Sequence, residues 1–131
     1  MVKDNYFYKI YSNVNIASTD RKKGDNNLAI NKYNQILESS RLLTEDASTY
    51  AYVINDLAYS KYLAGKDTKS AIESHFRQAF QLSDSISDKN IKMSVSLNFS
   101  EYFKSIKQLD SAAIYSSIAY DLGKELKHNK T

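Results

Sequence analysis

The chain has 131 residues, 42% of them hydrophobic and 25% charged, with a net charge of +3 at neutral pH. That balance supports a buried core, excludes a chain disordered by composition, and lacks the concentrated basic excess of a nucleic-acid binder. The absence of cysteine excludes disulfides, thiolate metal sites and cysteine nucleophiles.

There is no proline, and glycine stands only at positions 24, 65 and 123, so helix is favoured almost throughout. The eleven tyrosines weigh weakly the other way, and periodicity decides. The first predicted helix runs from about Tyr6 to Lys22. The second spans Leu28–Leu43, with Ala29, Tyr33, Ile36, Leu37, Leu42 and Leu43 on an amphipathic stripe. The third, Ser48–Ala64, is apolar on two faces: Val53, Ile54, Leu57 and Ala64 form one stripe, and Tyr52, Tyr59 and Tyr62 flank another. Such a helix needs neighbours on both sides. The fourth, Ser70–Leu82, carries Ile72, Phe76, Ala79 and Phe80. The fifth covers Asn90–Ile106. The sixth, Ser111–Leu122, carries Ala112, Ile114, Tyr115, Ile118, Ala119 and Leu122. Asp25, Asp67 and Asp110 stand where the caps of the trailing helices belong, with a Ser70–Glu73 capping box as an alternative to Asp67. Thr44 and Asp88 are the expected caps of the third and fifth helices.

Six helices in three hairpins follow, roughly 6–43, 46–85 and 89–127, in a single domain over residues 1–131. Ile72 lies 43 residues after Ala29, and Ala112 a further 40. A two-helix repeat of that period predicts an all-α fold, an α-α superhelix of about three antiparallel hairpins.

The segment "INDLAYSKYLAG", Ile54 to Gly65, resembles the first helix and turn of a tetratricopeptide repeat, with Leu57 and Ala58 as the large–small pair and Gly65 as the turn glycine. In the second helices, Ala29, Tyr33 and Ile36, then Ile72, Phe76 and Ala79, are similar to the family's small–large–small spacing. Ala112, Ser116 and Ala119 repeat it with Tyr115 beside the missing aromatic, and "QLDSA" leads into that helix as is usual. Small residues let the two helices of one hairpin approach, and the large one fills the space between hairpins. The chain departs from the family in its longer period, in two extra residues after Gly65, and in Lys61 and Asp20, where an aromatic is usual. This longer Tyr- and Lys-rich form is similar to the sensory arrays of bacterial regulatory proteins.

Catalytic chemistry has little to start from. His75 and His128 lack metal-ligand spacing. Glu45/Asp46 and Asp84/Asp88 lie near turns, where capping explains them. No glycine-rich phosphate loop is present. We expect no catalytic residue, no metal and no cofactor.

The resemblance instead implies a protein-interaction or scaffold module that binds a peptide or helix on its concave face. The residues facing that groove would be Tyr11, Ser18 and Arg21, then Tyr52, Asn55, Tyr59 and Tyr62, then Leu97, Glu101 and Lys104. Tyrosine offers large area at small entropic cost, and asparagine can satisfy a peptide backbone. Asp56 stands where members that clamp a C-terminal carboxylate carry a neutral amide, so that ligand is not implied. The alternative is a helical enzyme or small-ligand sensor with a pocket near Tyr52, Tyr59 and Tyr62. Nucleic-acid binding would require Arg21, Lys22 and Lys23 to share a face with Lys124, Lys127 and Lys130.

The last predicted helix offers Ile114, Tyr115, Ile118 and Leu122, more apolar surface than one hairpin covers. Self-association there, or a place within a longer protein, is the expectation. No transmembrane segment or signal peptide is recognisable, and a cytoplasmic location is expected.

Overall fold

The computed structural model describes residues 2–128, with side chains from residue 5. It is all-helical, with no strand among the described residues. The helices are α1 (Val2–Lys22), α2 (Asn26–Leu37), α3 (Ser40–Glu45), α4 (Ala47–Ala64), α5 (Lys69–Ser85), α6 (Lys89–Ser105) and α7 (Leu109–His128). No described helix is long and apolar enough to cross a membrane.

The expected second helix is two. Its i→i−4 ladder gives way to tight bonds, Glu38 N–H to Gln35 O at 3.2 Å and Ser39 N–H to Ile36 O at 3.3 Å, and Ser39 then turns extended, with ψ 114°. The short α3 re-aims the chain so that Leu42 is fully buried while Leu43 stays 42% exposed. It also docks on the start of α1: the Arg41 guanidinium lies 4.0 Å from the Tyr6 ring centre, and the Tyr6 and Ser39 hydroxyls are hydrogen-bonded.

Helix starts follow the hydroxyl and carboxylate caps, though not always the expected ones. Asp88 caps α6, accepting the Ile91 amide at 3.0 Å. For α4 the cap is Asp46, with the Thr49 amide at 3.1 Å, and Thr44 lies inside α3. For α5 the cap is Thr68, with the Ala71 amide at 3.1 Å. Asp67 is displaced from that role by its own left-handed backbone, φ +75°, so neither it nor Ser70 is the cap. Asp25 makes no side-chain cap bond, and Asp110 lies within the first turn of α7.

Four helices end alike. An amide five residues on closes onto a carbonyl of the last turn: Asp25 to Asp20, Lys66 to Lys61, Asp88 to Ser83 and Gln108 to Phe103, at 2.8–2.9 Å. Each closure needs a left-handed residue just before it. Gly24 and Gly65 supply it without strain; Ser87 (φ +57°) and Lys107 (φ +62°) do so against their Cβ. Ser87→Gly and Lys107→Gly are each expected to raise stability by about 0.5–1 kcal/mol, the relieved strain less the added chain entropy. Urea unfolding midpoints check this.

Two buried clusters form the core. Ile10, Val14, Ala17, Ala29, Tyr33, Ile36, Leu42, Val53 and Leu57 make one. Ile54, Ala58, Ile72, Phe76, Ala79, Val95, Phe99, Tyr102, Phe103 and Ala112 make the other. Helix α4 serves both, Val53 and Leu57 facing one way and Ile54 and Ala58 the other, which is why its sequence is apolar on two sides. All ten residues assigned to repeat packing (Ala29, Tyr33, Ile36, Leu57, Ala58, Ile72, Phe76, Ala79, Ala112 and Ala119) are buried.

The main helix pairs are α1 with α2, α4 with α5, and α6 with α7; α2 meets α4 and α5 meets α6 between pairs. Helix α4 also touches both α1 and α6, while the first and third pairs share no packed interface among the described residues.

Candidate binding cleft

Helices α1, α4 and α6 run side by side in the same direction, as their cross-links show. From α1 to α4, Tyr11 donates to Asp46 Oδ2 at 2.6 Å and Ser18 Oγ lies 3.1 Å from the Tyr52 hydroxyl. From α4 to α6, Ser48 donates to Asp88 at 2.8 Å, and Asn55 donates to Ser94 Oγ and accepts from Asn98, both at 3.2 Å. Tyr59 reaches both carboxylate oxygens of Glu101 at 3.2 Å. The expected groove residues on these three helices are thus neighbours, although most of their polar atoms are already engaged with one another.

Beneath them is a buried ionic knot. Asp56, 5% exposed, accepts a hydrogen bond from the Tyr33 hydroxyl and lies 2.8 Å from Arg21 Nε. That Nε–H is buried without a hydrogen bond of good geometry, so the Arg21 contact is an ion pair. The guanidinium also sits 5.4 Å from the Tyr59 ring centre. Burial, then the Asp56 charge, pushes the Tyr33 phenol far above its ordinary range. Tyr59 is raised by burial and then by Glu101.

Several expected roles change. Arg21 is turned inward to Asp56 and is not free for a partner. Asn55 is 2% exposed and braces α4 against α6. Tyr62 packs edge-on against Tyr102, with ring centres 5.9 Å apart. Leu97, 53% exposed, Glu101 and Lys104 remain at the surface. With Arg21 withdrawn, the six-residue basic face is broken, and Lys130 lies outside the described residues.

The open space lies further toward the N-terminal ends of α4 and α6. A cleft of about 440 Å³ is lined by Tyr11, Val14 and Asn15 of α1, by Ser48, Thr49 and Tyr52 of α4, and by Ile91 of α6. It opens to solvent and crosses all three parallel helices. Tyr52 lines it; Tyr59 and Tyr62 do not, so the expected tyrosine pocket is not formed as a unit. Val14 and Ile91 came from no motif; both are apolar residues on the inner faces of α1 and α6. Asp46 bounds this end. Burial alone would raise its carboxyl, but hydrogen bonds from Tyr11, the Thr49 hydroxyl and the Thr49 amide hold it below the usual range. The Tyr11 phenol is raised in return by its bond to Asp46.

His75 is half-buried, and burial and then Lys61 lower its pKa. Its Nδ1 has no hydrogen-bond partner. No group of three or more His, Cys, Asp or Glu able to hold a metal occurs among the described residues.

No protein-family model, no curated protein and no solved structure matches this chain.

Proposed function

We propose that the chain is a tetratricopeptide-like α-α superhelix that acts as a protein-interaction or scaffold module. Its leading helices α1, α4 and α6 receive an extended peptide or a helix of another protein, and the module has no catalysis of its own. The observation that carries this reading is the cleft lined by all three of those helices, apolar at Val14 and Ile91, aromatic at Tyr11 and Tyr52, and open at its top. An open trough suits a polypeptide better than a small molecule, which is usually enclosed on most of its surface. The engaged polar seam beside it suits the reading too, since a rigid wall loses little entropy on binding. In an array like those of bacterial regulatory proteins, a bound segment that spreads or closes the helices changes curvature and passes that change to attached domains.

Panning a phage-displayed library of random peptides on the protein tests the reading. Enriched peptides should shift the amide resonances of Asn15, Thr49 and Tyr52. They should lose at least about tenfold in affinity on Asn15→Arg, a surface change that leaves the melting temperature alone. Peptides that bind Asn15→Arg undiminished, or a library that yields none, would overturn it.

A further inference from the structure

The last helix does not offer the surface expected of it. Of the four residues assigned to self-association, Tyr115 packs among Phe80, Phe99 and Phe103. Leu122 is buried, Ile118 is half-buried, and Ile114 alone is exposed, at 59%. The chemistry of a partner is marked instead at one end of the cleft, by two half-buried carboxylates. Asp46 accepts from the Tyr11 hydroxyl and from the hydroxyl and amide of Thr49. Asp88 accepts from the Ser48 hydroxyl and the Ile91 amide. Tyr11, Thr49, Ser48 and Ile91 all line the cleft, so both acids stand at its edge.

We propose that the segment received by the cleft carries a lysine or arginine whose charged head lies against Asp46 and Asp88, with an apolar neighbour resting on Val14 and Ile91. This occupant presupposes that the cleft is a polypeptide site, and specifies which polypeptide fits it. The two acids have acceptor capacity to spare. A carboxylate accepts about four hydrogen bonds; Asp46 receives three and Asp88 two. Neither is ion-paired among the described residues, whereas Asp20, Asp56, Asp84 and Glu125 each hold a cation.

The protein's own cations on the surrounding elements are committed elsewhere. Arg41 pairs with Glu45, Lys89 with Glu125 and Lys92 with Asp84, and Arg21 is held by Asp56. Lys9 of α1 lines a separate hollow with Asn5 and Asn13. Each acid caps a helix, and the dipole of a helix N-terminus amounts to about half a positive charge, so a full carboxylate charge outweighs it. The cleft also suits the rest of a basic side chain, since its apolar stem can lie along the rings of Tyr11 and Tyr52. The net charge of +3 opposes a basic ligand at long range, so a preference for one has to arise from this local pair.

Panning two peptide libraries tests this, one free to encode every residue and one without lysine, arginine or histidine. Only the unrestricted library should yield peptides whose binding Asn15→Arg weakens. Those peptides are then synthesised with an acetylated amino terminus, so that no terminal amine can stand in for the side chain. Their affinity should fall as salt rises, and should drop roughly five- to tenfold on Asp46→Asn or Asp88→Asn. Asparagine caps a helix about as well as aspartate does, and melting temperatures check that the caps hold.

Exchanging the peptide's lysine for norleucine, or its arginine for citrulline, keeps the stem and removes the charge. The exchange should cost a similar factor on the unaltered protein, and nothing on the protein carrying both Asp46→Asn and Asp88→Asn. Peptides from the restricted library that reach the cleft with equal affinity would overturn the proposal while leaving the cleft a polypeptide site. So would a loss of equal size on the unaltered protein and on the double variant. If neither library yields a binder, the polypeptide reading itself falls, and this occupant with it.

Discussion

Phe99→Ala is expected to destabilise the fold by about 3–5 kcal/mol, among the largest losses any single truncation here should cause. The Phe99 side chain is fully buried. Its ring centre lies 5.1 Å from Phe76 of α5, 4.4 Å from Phe103 of α6 and 4.6 Å from Tyr115 of α7. Removing it empties the place where three helices meet, and the rings around it are too large to collapse inward without leaving their rotamers. Phe99→Leu keeps most of the volume and should cost nearer about 1 kcal/mol. Urea unfolding gives both values. Amide exchange gives the location: α7, held to the rest chiefly through α6, should lose protection first, while α1 and α2 keep theirs. Uniform loss of protection across all helices would contradict this.

Asp56→Ala is the second large effect, at about 3–5 kcal/mol, because it strands two buried partners rather than because an ion pair is strong in itself. Without the carboxylate, the Tyr33 hydroxyl has no acceptor and Arg21 has no counter-charge, although its side chain is only 18% exposed. The discriminating variant is the double replacement of Arg21 by Met and Asp56 by Leu. It removes the charges together and should cost markedly less than Asp56→Ala alone. If the double replacement is the worse of the two, the knot is a net source of stability. The same site contributes to the alkaline loss of stability, together with Tyr102, whose phenol is raised by burial and then by its hydrogen bond to Glu73. The Tyr33 pKa is raised on folding from an ordinary value of 10.0. The stability from keeping that phenol neutral is therefore intact below pH 10 and is lost as pH climbs above it. Tyr33→Phe should flatten that alkaline decline, measured as melting temperature against pH.

The helices were legible in the sequence because burial writes itself at a period of 3.6 residues. Ala29, Tyr33 and Ile36, like Ile72, Phe76 and Ala79, announce a face before any contact is known. The two-sided demand of α4 was legible in the same way. The break at Glu38–Ser39 was not. Ile36, Leu37, Leu42 and Leu43 keep the helical rhythm across it, and no glycine or proline marks the place. The left-handed exits at Ser87 and Lys107 were hidden for a related reason: there the chain tolerates the strain without the residue that usually relieves it.

The candidate site was legible as a set of residues and illegible as a set of bonds. Tyr52 finds Ser18 and Tyr59 finds Glu101, partners 34 and 42 positions distant, and no local pattern carries such pairings. Asp56 did leave a signal. A carboxylate flanked by Ile54, Leu57 and Ala58, in the most apolar stretch of the chain, has no inexpensive way to be buried alone, and so implies a cation and a donor nearby.

Because each helix pair packs only on the next, the chain has few distant ends to bring together as it folds. Each hairpin needs a short turn to close, and joining it to its neighbour adds only a modest entropic barrier. Refolding from urea should accordingly be fast for a chain of this length, without the slow phases that proline isomerisation would impose, since there is no proline to isomerise. The first pair can also be complete while the last is still emerging from the ribosome.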